Sequence, residues 1–322
     1  MLTVSAHAER WPLAEAFVIS RGAKTEAHVV TVTLQAGGAT GRGECVPYGR
    51  YGDTVGIILE TIRSWSPNSD RQSLLSSLPP GSARNAIDCA LWDLEAKRGA
   101  TTAAALAGFS TLKPVTTCYT LSLGAPASMA SKAASVPNLK LLKLKLGGEG
   151  DDDRMRAVRH ARPDVRLVAD ANEAWTPDML EPFLAVAKET GLELVEQPLP
   201  ANNDAALKDI AHAVPICADE SVHCTRDLKE LCGRYDAVNI KLDKAGGLTE
   251  ALHMADEASA LGLKIMCGCM VATSLAMAPA VIVAQTAEWV DLDGPMLLLR
   301  DRPHGLSIRN GLIMPPAPAL WG

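Results

Sequence analysis

The chain has no basic run. Its formal net charge is −6, and lysine and arginine are spread thinly along 322 residues. Phosphate backbones demand a clustered positive surface, so nucleic acid is excluded as a partner and small molecules remain. The N-terminus, MLTVSAHAERWPLAEAF, lacks a basic start followed by an apolar run, so no signal peptide is expected. Thiols at zinc spacing are also missing. The eight cysteines, at 45, 89, 118, 217, 224, 232, 267 and 269, are scattered, and the single C-x-C pair has no second thiol or histidine pair to complete a tetrahedral site. Reduced, core-packed thiols and a cytoplasmic location are expected.

One uncharged stretch is long enough to span a bilayer, the 23 residues between Lys264 and Glu288. It contains Gly268, Ser274, Pro279 and Gln285, and it reads as a buried strand followed by a helix. No membrane association is expected.

What the chain does have is a ladder. Thr120, Lys145, Asp170, Glu196, Asp219, Lys241, Cys267 and Asp291 are separated by 25, 25, 26, 23, 22, 26 and 24 residues. At five rungs a short apolar run ends in a charge: LLKLKLGG with Lys145, VRLVAD with Asp170, LELVEQP with Glu196, PICADES with Asp219, and VNIKLD with Lys241. Strands repeating at this interval, with helical segments between them, make parallel βα units. Examples of those segments are Pro177 to Thr190 and Thr249 to Leu261, each followed by glycine. Closed into a ring, such units form a barrel whose chemistry sits at the C-terminal strand ends, where the rungs fall. With a side-chain period of two, Lys143 and Lys145 share the inner face, as do Arg166, Val168 and Asp170, Asn239 and Lys241, and Trp289, Asp291 and Asp293. Lys244 has the opposite parity and is set aside.

The length exceeds one barrel of about 250 residues, so a second, smaller domain is expected. Residues 1–112 read as an α+β domain. They hold an alternating run at Ala27 to Leu34, a Gly-rich turn in GGATGRGEC, and a buried helix over ARNAIDCALWDLEAKRG ending at Gly99. The barrel is expected over 113–299, and the Pro-rich tail 300–322 is expected to pack back on the first domain.

Asp170, Glu196 and Asp219 are hard oxygen ligands on three successive strand ends, a set suited to Mg²⁺. Lys145 and Lys241 flank them, so two bases would face each other across a metal-bound substrate. Such bases remove a proton from one face and return it to the other, provided that neighbouring positive charge, here Lys143 and the metal, lowers a lysine pKa. A Schiff-base lysine is the rival use, but three metal carboxylates would then be superfluous.

These motifs, K-x-K at 143 and 145, DAN at 170–172, EQP at 196–198, ADES at 218–221 and NIKLDKAGG at 239–247, resemble the muconate-lactonising subgroup of the enolase superfamily. Sites of that superfamily pair a Lys or His base with Mg²⁺. The resemblance implies a modified (β/α)₇β barrel under an α+β capping domain, one Mg²⁺ per subunit, and Lys145 and Lys241 as acid/base pair with Lys143 tuning Lys145. Asn172 and Glu220 would support the metal ligands. WVDLDGP, with Asp291 and Asp293, is similar to the D-x-D with which dipeptide epimerases of the subgroup hold the substrate's free ammonium group. The implied reaction is a 1,1-proton transfer at the α-carbon of a dipeptide's C-terminal residue, with the murein peptide L-Ala-D/L-Glu foremost.

FVISRGAK and GECVPYGRYGD look like the loops that close over substrate in this family, making Arg21, Lys24, Tyr48, Arg50 and Tyr51 candidates for binding the second residue's side chain. At Lys24 the Ala-Glu enzymes would carry an arginine, whose planar fork lysine cannot reproduce. N-acylamino-acid racemase, o-succinylbenzoate synthase and cycloisomerase are the alternatives within the subgroup, though their substrates offer Asp291 and Asp293 no free amine. A non-catalytic metal- or peptide-binding barrel has no use for opposed bases. A homo-oligomer is compatible with all of these.

Overall fold

The computed structural model describes residues 2–66 and 70–322. It opens with an antiparallel meander of β1 (Thr3–Ile19), β2 (Gly22–Ala36) and β3 (Ala39–Cys45), against which the helix Ser82–Arg98 packs. The meander is longer than the alternating run at 27–34 indicated. Its first strand carries polar residues on its exposed positions, and in sequence that mixture obscures the period of two. Gly41 and Gly43 let the helix approach, since a Cβ at either would come within 2.2 Å of a helix carbonyl.

A short β4 (Val115–Thr116) then leads into eight parallel strands, β5 (Tyr119–Leu121), β6 (Leu141–Lys145), β7 (Arg166–Asp170), β8 (Leu192–Glu196), β9 (Ile216–Ala218), β10 (Ala237–Lys241), β11 (Lys264–Gly268) and β12 (Trp289–Asp291). They pair in that order, and the Cys118 amide donating to the Val290 carbonyl at 2.7 Å closes the ring. Two-residue strands β13 (Ile308–Arg309) and β14 (Leu312–Ile313) pair with β4.

The barrel is filled in tiers. Cys118, Leu141, Val168, Leu194, Cys217, Ala237, Met266 and Trp289 make one buried apolar cluster, one residue per strand or its lead-in. Two residues further along each strand, the same inward face presents Thr120, Lys143, Asp170, Glu196, Asp219, Asn239, Gly268 and Asp291. The ladder's seventh rung is therefore one residue off. Cys267 turns outward, its thiol against the Ala280 carbonyl at 3.4 Å, and Gly268 faces in. A Cβ there would come within 2.4 Å of the Asn239 side chain.

The helices that begin Pro177–Glu189 and Leu248–Ala260 fall where glycine-terminated segments were predicted, with Gly191 and Gly262 at positive φ just beyond. The uncharged stretch after Lys264 forms β11 and the buried helix Ser274–Val283. Among the described residues no helix is long and apolar enough to cross a membrane. The tail lies on the N-terminal region: Arg302 reaches Glu44 and Glu9, and the Gly322 amide donates to Asp93 at 2.7 Å.

Candidate active site

Eight strands place β6, β8, β10 and β12 at quarter turns of the ring. Lys145 ends β6 and Lys241 ends β10, so the two lysines stand on opposite walls. Glu196 on β8 and Asp291 on β12 face each other across the other diameter. All but two of the predicted site residues line one cavity of about 340 Å³ beneath the β1–β2 hairpin and the turn at Tyr48 to Tyr51. The two are Asp170 and Glu196, fully buried in its floor.

Carboxylates and ammonium groups alternate in that floor. Lys145 Nζ donates to Asp170 Oδ2 at 2.6 Å, and Lys241 Nζ donates to Asp219 Oδ2 at 2.6 Å. Lys143 Nζ lies 2.7 Å from Asp291 Oδ2 and 3.2 Å from Asp170 Oδ2, with Glu196 Oε2 also in ion contact. Burial alone would push the Lys143 ammonium down, but Asp291, Glu196 and Asp170 outweigh it and raise its pKa. Lys241 is likewise raised, because Asp219 and Glu196 overcome burial. In both cases the carboxylates lie closest to the ammonium group and set the direction. Asp170 and Asp219 are held below the usual carboxylate range by their lysines despite burial. Glu196 is pushed up to about 7 by burial and Asp170.

Lys244, set aside on parity, belongs here. Its buried Nζ donates to both Oδ1 and the backbone carbonyl of Asp219. Parity failed because the chain leaves β10 at Leu242 and turns helical, so positions 241 and 244 are related by a helical rather than an extended period. Gln197 was also missed. It sits at φ 36 and accepts from the Asp219 and Ser221 amides at 2.9 and 3.1 Å, so Asp219 is gripped at its amide, carbonyl and carboxylate. The EQP motif contained the residue, but nothing local in it announces a bond to the next strand.

As they stand, Asp170, Glu196 and Asp219 do not form a cage. Each turns to a lysine, and among the described residues no three acidic, His or Cys side chains converge to hold an ion. The donor set nevertheless fits a hard cation. Of six buried side-chain N or O atoms lacking a hydrogen-bond partner among the described residues, five are oxygens at this mouth: Asn172 Oδ1, Glu196 Oε2, Glu220 Oε2, Asn239 Oδ1 and Asp291 Oδ1. All five are acceptors; Glu196 Oε2 already faces the Lys143 ammonium, and a cationic guest would satisfy the other four.

The cap residues divide into paired and free. Arg21 donates to Glu220 Oε1 at 2.7 Å and to Glu173 Oε2 at 3.1 Å, and Arg50 pairs with Glu173. Both guanidinium groups thus make ion pairs within the protein while still lining the cavity. Tyr48 and Tyr51 pack at 5.3 Å, and Tyr51 sits edge-on to His223 at 4.5 Å. Asn172, at φ 44, reaches Glu220 Oε1 only at 3.5 Å. Lys24 makes no ion pair or hydrogen bond among the described residues, and its Nζ lies 5.6 Å from the Phe17 ring. Burial, with Lys145 and Lys241 nearby, pushes it down to about 8. Asp293 accepts from the Thr120 amide at 2.6 Å and is pushed up to about 7 by burial and Asp291.

Residues 127–319 match the enolase C-terminal domain-like family, and residues 1–108 match the mandelate racemase/muconate lactonizing enzyme N-terminal domain. The chain belongs to the enolase superfamily. An enolase family member from Agrobacterium tumefaciens with homology to dipeptide epimerases, solved with sodium and L-Ala-L-Glu, superposes at TM-score 0.98 with 50% identity and full coverage of both chains. The L-Ala-D/L-Glu epimerase of Escherichia coli (strain K12) is 45% identical over 97% of this chain and 99% of its own. An N-acetyl-D-glutamate racemase from Pseudoalteromonas is 41% identical over 88% of this chain and 91% of its own. The superfamily assignment and the barrel with its antiparallel cap, both expected from the motifs, are thereby established.

Proposed function

We propose that this superfamily member is a Mg²⁺-dependent dipeptide epimerase acting at the α-carbon of the second residue, with L-Ala-D/L-Glu as substrate. One observation carries the choice of substrate. The cavity holds a carboxylate oxygen, Asp291 Oδ1, and an ammonium, Lys24, that have no hydrogen-bond or ion-pair partner among the described residues, and these complement the free amine and the side-chain carboxylate of an alanyl-glutamate. The relatives named for L-Ala-D/L-Glu and the neighbour solved with L-Ala-L-Glu support the same reading.

Asp170, Glu196 and Asp219 would hold the Mg²⁺, which when bound supplies Lewis-acid polarisation of the substrate carboxylate. Lys145 and Lys241 do the proton work. One, as neutral amine, takes the α-proton, and the other, as ammonium on the opposite wall, delivers a proton to the other face. Lys143, enclosed by Asp291, Glu196 and Asp170, offsets part of the negative charge of the floor. Arg21 and Arg50, anchored on Glu173 and Glu220, fasten the cap to the barrel mouth and shield the site from water. In this reading residues 1–112 and 300–322 form the cap and 113–299 the barrel, and the protein belongs to cytoplasmic murein-peptide recycling.

The test is proton exchange in D₂O with Mg²⁺, following the α-proton of the second residue by NMR for L-Ala-L-Glu, other L-Ala-L-Xaa dipeptides and N-acetyl-L-glutamate. Exchange fastest with L-Ala-L-Glu is expected. Exchange with N-acetyl-L-glutamate alone would replace the epimerase reading with an N-acylamino-acid racemase. Exchange only with apolar second residues would overturn the pairing of Lys24 with glutamate.

A further inference from the structure

A second cavity, of about 350 Å³, lies beside the first and has no part in the proton transfer. Its walls come from residues 13–17 of β1, from the segment after β5, from the helix Pro126–Ala134 and from Met296 and Leu297. It exists because β1 leaves its partner. Pairing with β2 is interrupted between Pro12 and Phe17, and Leu13 bridges to Leu298 instead. The lining is largely apolar, with Leu13, Leu123, Met129 and Leu297 among its residues, and the ion pair of Lys132 with Glu15 at 2.8 Å supplies its charges.

Among the described residues, only Phe17 and Thr120 line both cavities. Thr120 locates the junction chemically, because its amide holds Asp293 Oδ2 at 2.6 Å. The second cavity therefore adjoins the amine end of the proposed substrate, not the end that reacts. The Phe17 ring stands at the junction, 5.6 Å from the Lys24 ammonium and 5.8 Å from that of Lys145. Beside it, the backbone of Val18 is tied to the barrel by bonds to Ser122 and Leu123 at 3.2 and 2.9 Å. These backbone bonds hold the strand independently of the Phe17 ring.

We propose that Phe17 is the specificity wall for the first residue of the dipeptide: in place it restricts that residue to a small side chain, and behind it lies an apolar subsite for a larger one. This rests on the dipeptide reading above. The ligand class is the aliphatic side chain of the residue bearing the free amine. Apolar pockets discriminate by about tenfold or more per well-placed hydrophobic group, so removal of the wall must show in a ratio of rates.

The experiment compares kcat/KM for L-Leu-L-Glu and L-Ala-L-Glu in the Mg²⁺-loaded wild type, Phe17→Ala and Phe17→Leu. Because Phe17 is near Lys145, all rates can fall, and the ratio is what counts. Phe17→Ala should raise the leucyl-to-alanyl ratio by about tenfold or more, with Phe17→Leu intermediate. Adding Ser128→Phe, which fills the second cavity from the exposed helix side, should return the ratio toward wild type. Calorimetric binding of L-Leu-L-Glu to the same proteins gives the answer even where turnover is too slow to measure. An unchanged ratio and unchanged affinity in Phe17→Ala would overturn the proposal, as would a raised ratio insensitive to Ser128→Phe. No turnover of any dipeptide by the wild type would instead remove the epimerase reading itself.

Discussion

The Lys244 ammonium lies against both the carboxylate and the backbone carbonyl of Asp219, and Lys241 occupies the remaining carboxylate oxygen. Two buried cations thus compensate one buried anion that a divalent ion would also claim. Removing one partner of such a buried pair costs about 3 kcal/mol, because the charge left behind is less well compensated. Lys244→Met should therefore lower Tm. Added Mg²⁺ replaces the lost charge and meets less repulsion, so the Mg²⁺-induced rise in Tm should be larger in the variant than in the wild type. Thermal unfolding with and without Mg²⁺ checks this, and an equal or smaller rise in the variant would show that Lys244 does not oppose an ion at Asp219.

Far from the site, His212 gives the molecule a titration of its own. Nδ1 faces Asp236 Oδ2 at 2.6 Å and Nε2 faces the Leu207 carbonyl at 2.9 Å, so only the protonated ring can donate to both. Its pKa is raised chiefly by the bond to Asp236. A folded-state value above the unfolded one of about 6.5 means the stabilisation is complete below that pH and fades as pH rises through the folded value. Asp236 is depressed, with its bond to His212 outweighing burial, and contributes above about 3.9. The pair therefore stabilises most between about pH 4 and 6.5. In His212→Gln the stability loss should be greatest in that window and shrink toward pH 8. A loss independent of pH, from denaturant midpoints across the range, would show that the ring is not charged in the fold.

How much of this was legible in the sequence depended on whether a residue's role was fixed by local periodicity. Lys143, Lys145, Asp170, Glu196 and Asp219 announced themselves because strands impose a period of two and βα units impose a repeat, and both survive in one dimension. Cys267 was misread because the apolar run of β11 gives no polar residue to mark the inner face. Lys244 was lost at a change of period. The commitments of Arg21 and Arg50 were invisible because Glu220 and Glu173 lie 199 and 123 residues away, brought near only by the docking of the hairpin on the barrel. Phe17 as a wall between two cavities needed the interrupted pairing of β1, which no residue pattern foretold.

Opposed lysines on opposite walls should behave asymmetrically. Lys145→Ala and Lys241→Ala should each lower epimerisation by at least about a hundredfold, the usual range for loss of a positioned acid or base. Each should still exchange the α-proton of one stereoisomer in D₂O, and the two variants should retain opposite stereoisomers. NMR of L-Ala-L-Glu and L-Ala-D-Glu in parallel reads this directly. Retention of the same stereoisomer by both variants would place the lysines on one face.

Asp291 divides its two oxygens between two tasks. Oδ2 accepts from Lys143 at 2.7 Å, whereas Oδ1 has no donor among the described residues. In Asp291→Asn the side-chain carbonyl can keep the contact with Lys143, while an amide N–H₂ now points at the incoming substrate amine. A buried charge pair that loses one partner typically costs at least about 2 kcal/mol, so affinity for L-Ala-L-Glu should fall by roughly thirtyfold. Propionyl-L-glutamate, the same molecule with hydrogen in place of the amine, has no ammonium to lose and should bind the two proteins with similar affinity. Calorimetry of both ligands against wild type and variant, with Mg²⁺ present, measures the difference. If the preference for the free amine survives intact in Asp291→Asn, the amine is held elsewhere, and the complementarity of Asp291 and Lys24 to an alanyl-glutamate loses its first half.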